Sequence, residues 1–170
     1  MTPRLRTARL DLLPLHPDHA PEMAGVLADP ALHRYTGGEP AALEDLAARY
    51  ERLAAGSPEP GVTWHNWVLR LRDEACLTGY AQATVSGHVA EVAWVVGTAW
   101  QGRGIAREAA PAVVDWLGER GTAEVIAHIH PDHHASAAVA AAAGLAPTGE
   151  RQEGEIRWRR KFPAPGVDLA

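Results

Sequence analysis

A glycine-rich turn near the middle of the sequence offers the clearest chemistry. The apolar run at 92–96 predicts a buried strand, and the apolar residues that follow the turn fall at helical spacing. The turn, Gln101-Gly-Arg-Gly-Ile-Ala106, thus leads from a strand into the first turn of a helix, whose unpaired N–H groups and dipole attract anions. Gly102 and Gly104 would let the backbone approach a phosphate without an intervening Cβ. The sequence therefore predicts a pyrophosphate site at this turn.

The spacing of the turn differs from two common phosphate-binding motifs. A Walker motif needs Lys and then Ser or Thr after its last glycine, whereas Gly104 is followed by Ile and Ala. A dinucleotide-binding fingerprint needs a third glycine where Arg107 stands. The pattern that fits is Q-x-x-G-x-A, formed by Gln101, Gly104 and Ala106. The turn therefore predicts a phosphate ligand of another kind.

Composition limits the classes of protein and of partner. The 170 residues carry a net charge of −5 at pH 7, which argues against a nucleic-acid partner, because its phosphates need a basic surface. An acidic surface suits a cationic substrate such as an amine, and ordinary solvation equally well. The single cysteine, Cys76, excludes an internal disulfide and is typical of a reducing compartment. No apolar run is long enough to cross a membrane, and the N-terminal region lacks the apolar stretch of a signal peptide. We therefore expect a cytoplasmic protein without a membrane partner.

Hydrophobic periodicity and turn residues predict the elements that position the turn. The predicted order is a strand at 10–15, a helix capped by Asp18, a helix after Pro40, a hairpin of strands 63–71 and 77–85, a strand at 89–96, a helix at 105–118, a strand at 125–129, a helix at 133–143 closed by Gly144, and a hairpin of strands 145–150 and 156–162. The sequence shows no repeat and no second domain. We therefore expect one domain over residues 1–170, with a frayed tail at 163–170.

Three stretches, in this order along the chain, resemble the Gcn5-related N-acetyltransferase (GNAT) superfamily. The segment 5–12 looks like the opening of the branch that contains ribosomal-protein alanine N-acetyltransferases. The strand at 90–96, together with its Q-x-x-G-x-A turn, resembles the cofactor-binding centre of the family. The segment 130–136, which leads to 143–145, is similar to the family's P-x-N-x-A-S helix ending in L-G-F.

The resemblance covers about residues 4–162 and implies both a fold and an activity. The implied fold is α/β (α+β), with a mixed central sheet of about seven strands and four helices. Strands 89–96 and 125–130 would be splayed to admit a pantetheine arm. The implied activity is that of an acetyl-CoA-dependent N-acetyltransferase, which moves the acetyl group from the thioester to a primary amine by direct attack in a ternary complex.

The resemblance assigns acetyl-CoA to the turn and to the strand before it. Pantetheine would pair with the backbone as an added strand does, and the N–H of Val96 would hold the thioester oxygen. His133 stands where the family has an asparagine that contacts the cofactor, so that contact is altered. The residues implied in cofactor binding are Trp94, Val95, Val96, Gln101, Gly102, Arg103, Gly104, Ile105, Ala106, Arg107 and His133.

Glu91 and Ser136 are the candidates for proton transfer. Glu91 interrupts an apolar strand, and burial usually raises the pKa of a carboxyl group, which suits a base near neutral pH. The resemblance implies a general base here, often acting through water; alternatively, Glu91 pairs with His88 or lies in solvent. Ser136 stands where the branch has a proton donor to the leaving thiolate, or else it bonds to the backbone at a helix start. The tyrosine that other members use as the acid would fall on Ala140.

The acceptor pocket is expected between the first two helices and the strand at 63–71. Tyr35, Trp64, His65 and Trp67 are its candidate residues. Adjacent strand residues point to opposite faces, so Trp64 and His65 cannot both line one pocket. The acceptor would be a small-molecule amine or a protein N-terminus, and the protein would be a monomer or a homodimer.

Two other functions and one metal site are alternatives to this interpretation. A non-catalytic acyl-CoA-binding protein with the same fold would be consistent with His133 and Ala140, although Glu91 and Ser136 argue against it. A nucleotide-binding regulatory module would use the glycine-rich turn. A metal site is suggested by four histidines, but no cysteine or well-placed carboxylate completes a ligand set, so we expect no metal. These histidines are His128, His130, His133 and His134.

Overall fold

The structure, a computed structural model, describes residues 1–164, and the rest of the predicted frayed tail lies outside them. Its strands are β1 Leu5–Arg6, β2 Leu10–Pro14, β3 Val62–Leu71, β4 Cys76–Ser86, β5 Val89–Val96, β6 Glu124–Ile129, β7 Ala146–Gln152 and β8 Glu155–Lys161. Its α-helices are α1 Ala20–Val26, α2 Leu43–Ala55, α3 Ile105–Glu119 and α4 His134–Ala142. In this part of the chain no helix has the length and apolarity needed to cross a membrane.

The strands form one mixed sheet in the order β1-β2-β3-β4-β5-β6-β8-β7. Every pair of neighbours is antiparallel except β5 and β6, which are parallel. The predicted mixed fold and its helices are confirmed, and the strand count is eight rather than about seven. The additional strand is β1, whose two residues pair with the end of β2. A two-residue strand is too short to produce a periodic pattern.

Helices cover both faces of the sheet and create two hydrophobic cores. Alternation along β3 directs Trp67 and Leu69 into the core with α3, whereas Val68 points into the core with α1 and α2. The first core also receives α4 through the fully buried Ala140. The sheet therefore separates the glycine-rich turn and α4 from the pair of N-terminal helices.

The start of α1 differs from the prediction that Asp18 caps it. A short 3₁₀ turn, Pro17–His19, precedes the helix, and its cap is the ring of His16, which accepts a hydrogen bond from the N–H of Asp18. In return, the N–H of His16 donates to the ring of His19. Proline at the first position preorganises such a turn. The ring of His16 is thus the cap, which is the role predicted for the carboxylate of Asp18.

The apolar run of β5 predicts a buried strand, but only one face of β5 is buried. Ala90 and Val92 are buried against α3, whereas Glu91 and Ala93 are exposed. The exposed face opens towards a cleft, which Ala93 lines, because the neighbouring strand β6 pairs only with the start of β5. An apolar run can therefore line a cleft as well as a core.

Gly79 on β4 permits a close approach of β5. A Cβ at this position would lie 2.2 Å from the carbonyl oxygen of Val95 and 2.9 Å from the Cα of Val96, and neither atom belongs to a flexible side chain. We expect Gly79→Ala to lower the free energy of unfolding by about 3 kcal/mol, at the upper end of typical overpacking costs. Chemical denaturation would measure the change.

The control for this substitution is Gly25→Ala in α1. A Cβ at Gly25 meets nothing within 4 Å, so alanine there is expected to leave stability unchanged or to raise it slightly. Equal stability of the Gly79 and Gly25 variants would show that the contact between β4 and β5 relaxes freely.

Candidate active site

The central feature of the site is the divergence of the two parallel strands. β5 and β6 pair at only three positions, Val89 with Glu124, Ala90 with Val125, and Glu91 with Ile126. β5 nevertheless stays paired with β4 as far as Val96. The predicted splaying is therefore confirmed. On the side of the gap, residues 92–96 of β5 have no partner strand within the described chain, so their backbone groups can pair with an extended ligand.

The glycine-rich turn lies at the end of this open strand. Gly102 and Gly104 have φ angles of +78° and +76°, and Gly104 is the N-cap of α3. No side chain of residues 1–164 caps this helix, so the N–H groups of its first turn stay free for a ligand. Gln101 donates its side-chain Nε2 to the carbonyl of Val96 at 3.0 Å, which fixes the turn against β5. The Q-x-x-G-x-A pattern thus forms an anion site with an open backbone.

A cleft of about 610 Å³ extends from the turn along the gap to α4. Most of the residues predicted to bind the cofactor line it. These are Trp94, Val95, Val96, Gln101, Gly102, Gly104, Ile105, Ala106, Arg107 and His133. Arg103 does not line the cleft, because its guanidinium pairs with Glu74 at 2.6 Å. Of the two arginines of the turn, only Arg107 therefore lies where a phosphate could meet it.

A partly buried carboxylate, that of Glu108, ties the N-terminal segment to the start of α3. Glu108 accepts hydrogen bonds from the hydroxyl of Thr7, from the N–H of Arg9 at 2.9 Å and from the Arg9 side chain at 2.8 Å. Burial would raise the pKa of Glu108, but these hydrogen bonds and the Arg9 charge outweigh it and hold the pKa below its usual value. The segment at 5–12 thus helps to position the glycine-rich turn.

Glu91 occupies the last paired position before β5 and β6 diverge. Its side chain is about half exposed, at 50%, so the premise that it is buried is wrong. One carboxylate oxygen lies 2.7 Å from Nδ1 of His128, and Nε of Arg157 lies 3.1 Å from Nε2 of the same ring. A guanidinium can only donate, so Nε2 accepts, and the proton of a neutral ring lies on Nδ1 and is donated to Glu91. The carboxylate is therefore held in place while half of its side chain stays accessible.

His133 and Ser136 form a hydrogen-bonded pair at the start of α4. The ring of His133 is the N-cap, and its Nδ1 accepts the N–H of Ser136 at 3.3 Å. The proton of a neutral ring then lies on Nε2, 3.1 Å from the Ser136 hydroxyl oxygen, and is donated to it. Burial, together with the charges of His130 and His134, holds the pKa of His133 below its usual value and favours this neutral ring. The hydroxyl proton of Ser136 is left free for another acceptor in the cleft.

A second cavity, of about 380 Å³, lies on the face of the sheet that α1 and α2 cover. Its wall is built from α1, α2, the segment between them, and β3 and β4. This is the region in which the sequence predicts the acceptor pocket. Five residues line both spaces, namely Leu32, Thr36, Tyr80, Gln82 and Val95. The cavity and the cleft therefore adjoin across β4 and β5.

Tyr35 is placed in the cleft rather than in this second cavity. Its ring stacks on that of His133, with 4.5 Å between centroids, and lies 5.0 Å from that of His130. Its hydroxyl donates to the carbonyl of Asp132 at 3.4 Å. The segment between α1 and α2 thus reaches the start of α4 across the cleft.

Among the described residues, neither Trp64 nor His65 lines the cleft or the second cavity. His65 is buried on the α3 face, where its ring stacks on Trp67 and meets Trp116 edge-on. Trp64 shares the opposite face with Asn66, which lines the second cavity, but lies two residues farther along the strand. Alternation along β3 therefore gives Asn66 the position expected of Trp64.

In residues 1–164, no group of three or more His, Cys, Asp or Glu side chains is arranged to hold a metal ion. The histidines that suggest such a site have other contacts. His128 bonds to Glu91, and His130 and His133 flank the ring of Tyr35.

The sequence itself identifies the family to which this geometry belongs. Residues 9–146, well over half of the chain, match the family model of the acetyltransferase (GNAT) domain. The chain belongs to the GNAT acetyltransferase family. Acetyl-CoA is the acetyl donor of GNAT enzymes, so the predicted cofactor is confirmed at the level of the family. A search of curated proteins found no match.

Solved GNAT structures share this fold over nearly the whole chain. RimL, a ribosomal L7/L12 alpha-N-protein acetyltransferase in complex with coenzyme A, is 16% identical with a TM-score of 0.78, covering 94% of this chain and 98% of its own. The ribosomal-protein-S5-alanine acetyltransferase of Vibrio fischeri is 17% identical with a TM-score of 0.75, covering 94% and 96%. An acetyltransferase of Agrobacterium tumefaciens is 25% identical with a TM-score of 0.75, covering 94% and 95%. The neighbours include ribosomal-protein acetyltransferases, in agreement with the resemblance of the segment 5–12.

Two residues of this GNAT site were missed from the sequence. Glu108 stands in the first turn of α3, but its partners are about a hundred residues away, at Thr7 and Arg9. His128 was considered only as a metal ligand, although it lines the cleft and bonds to Glu91. The one available signal was the histidine, which is an exception in an apolar strand, because an acid in the first turn of a helix is ordinary.

Ser136→Ala is expected to lower kcat by about ten- to a thousand-fold, because the alanine has no proton to give to a leaving thiolate. The lower end is favoured, since a thiol with a pKa near 8.5 leaves well unaided. The melting temperature should hardly change, because His133 rather than Ser136 is the helix cap. Steady-state kinetics and thermal unfolding of the same variant test both statements.

Ser86→Ala, at the exposed end of β4, is the matched control and should leave both quantities unchanged. Full activity of Ser136→Ala would remove Ser136 from the chemistry and leave solvent as the proton source.

Proposed function

We propose that this GNAT protein is an N-acetyltransferase that moves the acetyl group of acetyl-CoA directly to a primary amine in a ternary complex. The observation that carries the proposal is that the cleft and the second cavity adjoin along β4 and β5, where Tyr80, Gln82 and Val95 line both. One space contains the open strand and the anion site that a CoA thioester needs, and the other is separate from it. Donor and acceptor can therefore be bound together, as direct transfer requires.

The donor side is supplied mainly by backbone groups. The unpaired N–H groups of Ile105, Ala106 and Arg107, at the first turn of α3, would bind the pyrophosphate. The open edge of β5 would pair with the pantetheine arm, and the N–H of Val96 would donate to the thioester oxygen. Acetyl-CoA supplies the activated acyl group, and the protein supplies its orientation.

The proposed chemistry needs one proton removed and one returned. The amine nitrogen forms a bond to the carbonyl carbon as the carbon–sulfur bond breaks. Glu91, oriented by His128, would take the proton of the amine through water, since its carboxylate is held at the edge of the divergence. Ser136, which accepts from His133, would give its hydroxyl proton to the departing thiolate and regain one from solvent.

Two kinds of acceptor fit the family. The name of the neighbour RimL specifies alpha-N-acetylation of ribosomal protein L7/L12, and the name of the Vibrio fischeri enzyme specifies an alanine of ribosomal protein S5. The cavity of about 380 Å³ also has the size of a small-molecule site. The test therefore includes both classes of acceptor, a small-molecule amine and a protein N-terminus.

The test is amine-dependent release of CoA from acetyl-CoA, with the acetylated product identified by mass spectrometry. Turnover of at least one primary amine is expected, whereas ATP and NAD should not shift the melting temperature as acetyl-CoA does. A thermal shift by acetyl-CoA without turnover of any amine or peptide would instead support a non-catalytic acyl-CoA-binding protein. The observation that favours this second function is the fully buried Ala140, which stands where other family members have a catalytic tyrosine.

A further inference from the structure

The hydroxyl of Tyr50 is buried without a hydrogen-bond partner. Tyr50 lies on α2, is 3% exposed and lines the cavity of about 380 Å³. Among residues 1–164, its hydroxyl is the single buried side-chain nitrogen or oxygen that lacks a partner. Such a group loses its contact with water and gains nothing in return, which is unfavourable. A ligand in the cavity would supply the missing partner.

Two further residues that carry hydrogen-bond donors line the same cavity, Tyr80 on β4 and Arg49 on α2. Burial raises the pKa of Tyr50 to about 12, with Tyr80 adding to the rise and the charge of Arg49 opposing it. Burial also raises the pKa of Tyr80, and Arg49 again opposes it. Both phenols therefore keep their protons, and all three groups lie close enough to influence one another. In the described chain Arg49 forms no ion pair with a carboxylate.

The remainder of the cavity is largely apolar. Leucines of α1, α2 and the adjoining segments line it, namely Leu15, Leu27, Leu32, Leu46 and Leu53. Gln82 and Val95 are shared with the cleft, and so is Tyr80, which pairs with Val95 across β4 and β5. The cavity thus combines an apolar wall, a cluster of three donors and an opening towards the acetyl donor.

We propose that the acceptor is a small primary amine that carries a carboxylate and an apolar group, with the carboxylate bound by Tyr50, Tyr80 and Arg49. A guanidinium can only donate hydrogen bonds, and a phenol donates to any ligand group that carries no proton. A carboxylate is the common organic group that accepts hydrogen bonds from all three side chains. The amine lies beside Gln82 and Val95, next to the cleft, and the apolar group packs on the leucines. This inference names the acceptor of the proposed N-acetyltransferase and rests on that function.

Matched acceptors test the need for the carboxylate. L-leucine is compared with leucinamide and isoamylamine, L-phenylalanine with phenylalaninamide and phenethylamine, and aminomethylbenzoate with benzylamine. In at least one series, kcat/KM for the carboxylate is expected to exceed that of its neutral partners by roughly ten- to a hundred-fold, as for hydrogen bonds to a charged group.

The other outcomes each overturn the proposal. Equal use of neutral and carboxylated amines, or a preference for peptides with a free N-terminus, leaves the N-acetyltransferase function standing and removes this acceptor class. Absence of turnover with every amine and peptide removes the proposed function itself. The two failures are therefore distinguishable.

Tyr50→Phe and Arg49→Gln test the binding groups. Each is expected to lower kcat/KM by roughly tenfold or more for the carboxylated acceptor, and to leave neutral amines nearly unaffected. Because Tyr50→Phe removes an unpartnered buried hydroxyl, the melting temperature of the free protein should stay the same or rise. Arg52→Gln, one turn farther along α2 and outside the cavity lining, is the matched control.

Glu39 is the one carboxylate that lines this cavity within the described residues, and it would attract a cationic acceptor instead. Glu39→Gln is expected to keep or improve the use of carboxylated amines. If Glu39→Gln abolishes turnover, or if Tyr50→Phe slows all acceptors equally, the carboxylate is not the group that the cavity recognises.

Discussion

Glu91→Gln is expected to lower kcat by about a hundred- to ten-thousand-fold, the usual range for one acid–base group. The amide keeps the shape of the side chain and its contact with the Nδ1–H of His128, but it cannot take a proton. The affinity for acetyl-CoA should stay nearly the same, because Glu91 does not line the cleft in the described structure. The loss should shrink at high pH, where more of the amine is already neutral.

Steady-state kinetics over a range of pH, with acetyl-CoA affinity measured separately, checks the Glu91 prediction. Glu119→Gln, at the exposed end of α3, serves as the control for the loss of one negative charge. His128→Asn, which retains a donor for Glu91, should have a smaller effect than Glu91→Gln. An unchanged kcat in Glu91→Gln at neutral pH would assign the proton to water alone.

Gly104→Val is expected to abolish measurable binding of acetyl-CoA. The residue is the N-cap of α3 with a φ of +76°, a conformation that a β-branched residue adopts only with strain. A Cβ would also lie 3.4 Å from Nη2 of Arg9, and the added methyl groups of valine would crowd the N–H groups of α3 that are proposed to bind the pyrophosphate. Isothermal titration calorimetry with CoA, and the shift in melting temperature that CoA causes, measure the effect.

The control for Gly104→Val must carry the same backbone strain at a remote place. Gly61 has a φ of +79° and open space around its Cβ position, before the start of β3. Gly61→Val should lose a comparable amount of stability and bind CoA normally. Normal CoA binding by Gly104→Val would move the phosphate site away from this turn.

The elements of the fold were predictable because their signals are local. The Q-x-x-G-x-A turn, the hairpin of β3 and β4, and Gly144 after α4 with its φ of +84° each depend on residues close in sequence. The resemblance of three stretches to one family also predicted most of the residues that line the cleft between β5 and β6. Their role in binding the donor stays a prediction.

The region of the acceptor cavity was predictable, but its lining residues were not, because they depend on strand pairing and on side-chain direction. Tyr50 falls on the apolar stripe of α2 and reads as a core residue, yet its hydroxyl lacks a partner. His65 and Asn66 are neighbours in sequence, and only the register of β3 decides which of them meets a cavity. The contact of Glu91 with His128 likewise depends on where β5 and β6 stop pairing.

The two hydrophobic cores on opposite faces of the sheet bear on how the enzyme could be re-engineered. The cleft is lined by β5, β6, the glycine-rich turn, α3, α4 and part of the segment between α1 and α2, whereas the described residues of α2 and β3 line only the second cavity. Substitutions that share no contacts usually combine additively. Directed evolution of α2 and β3 should therefore change acceptor preference while leaving the KM for acetyl-CoA unchanged, and libraries for these elements and for the cleft can be screened separately and then recombined.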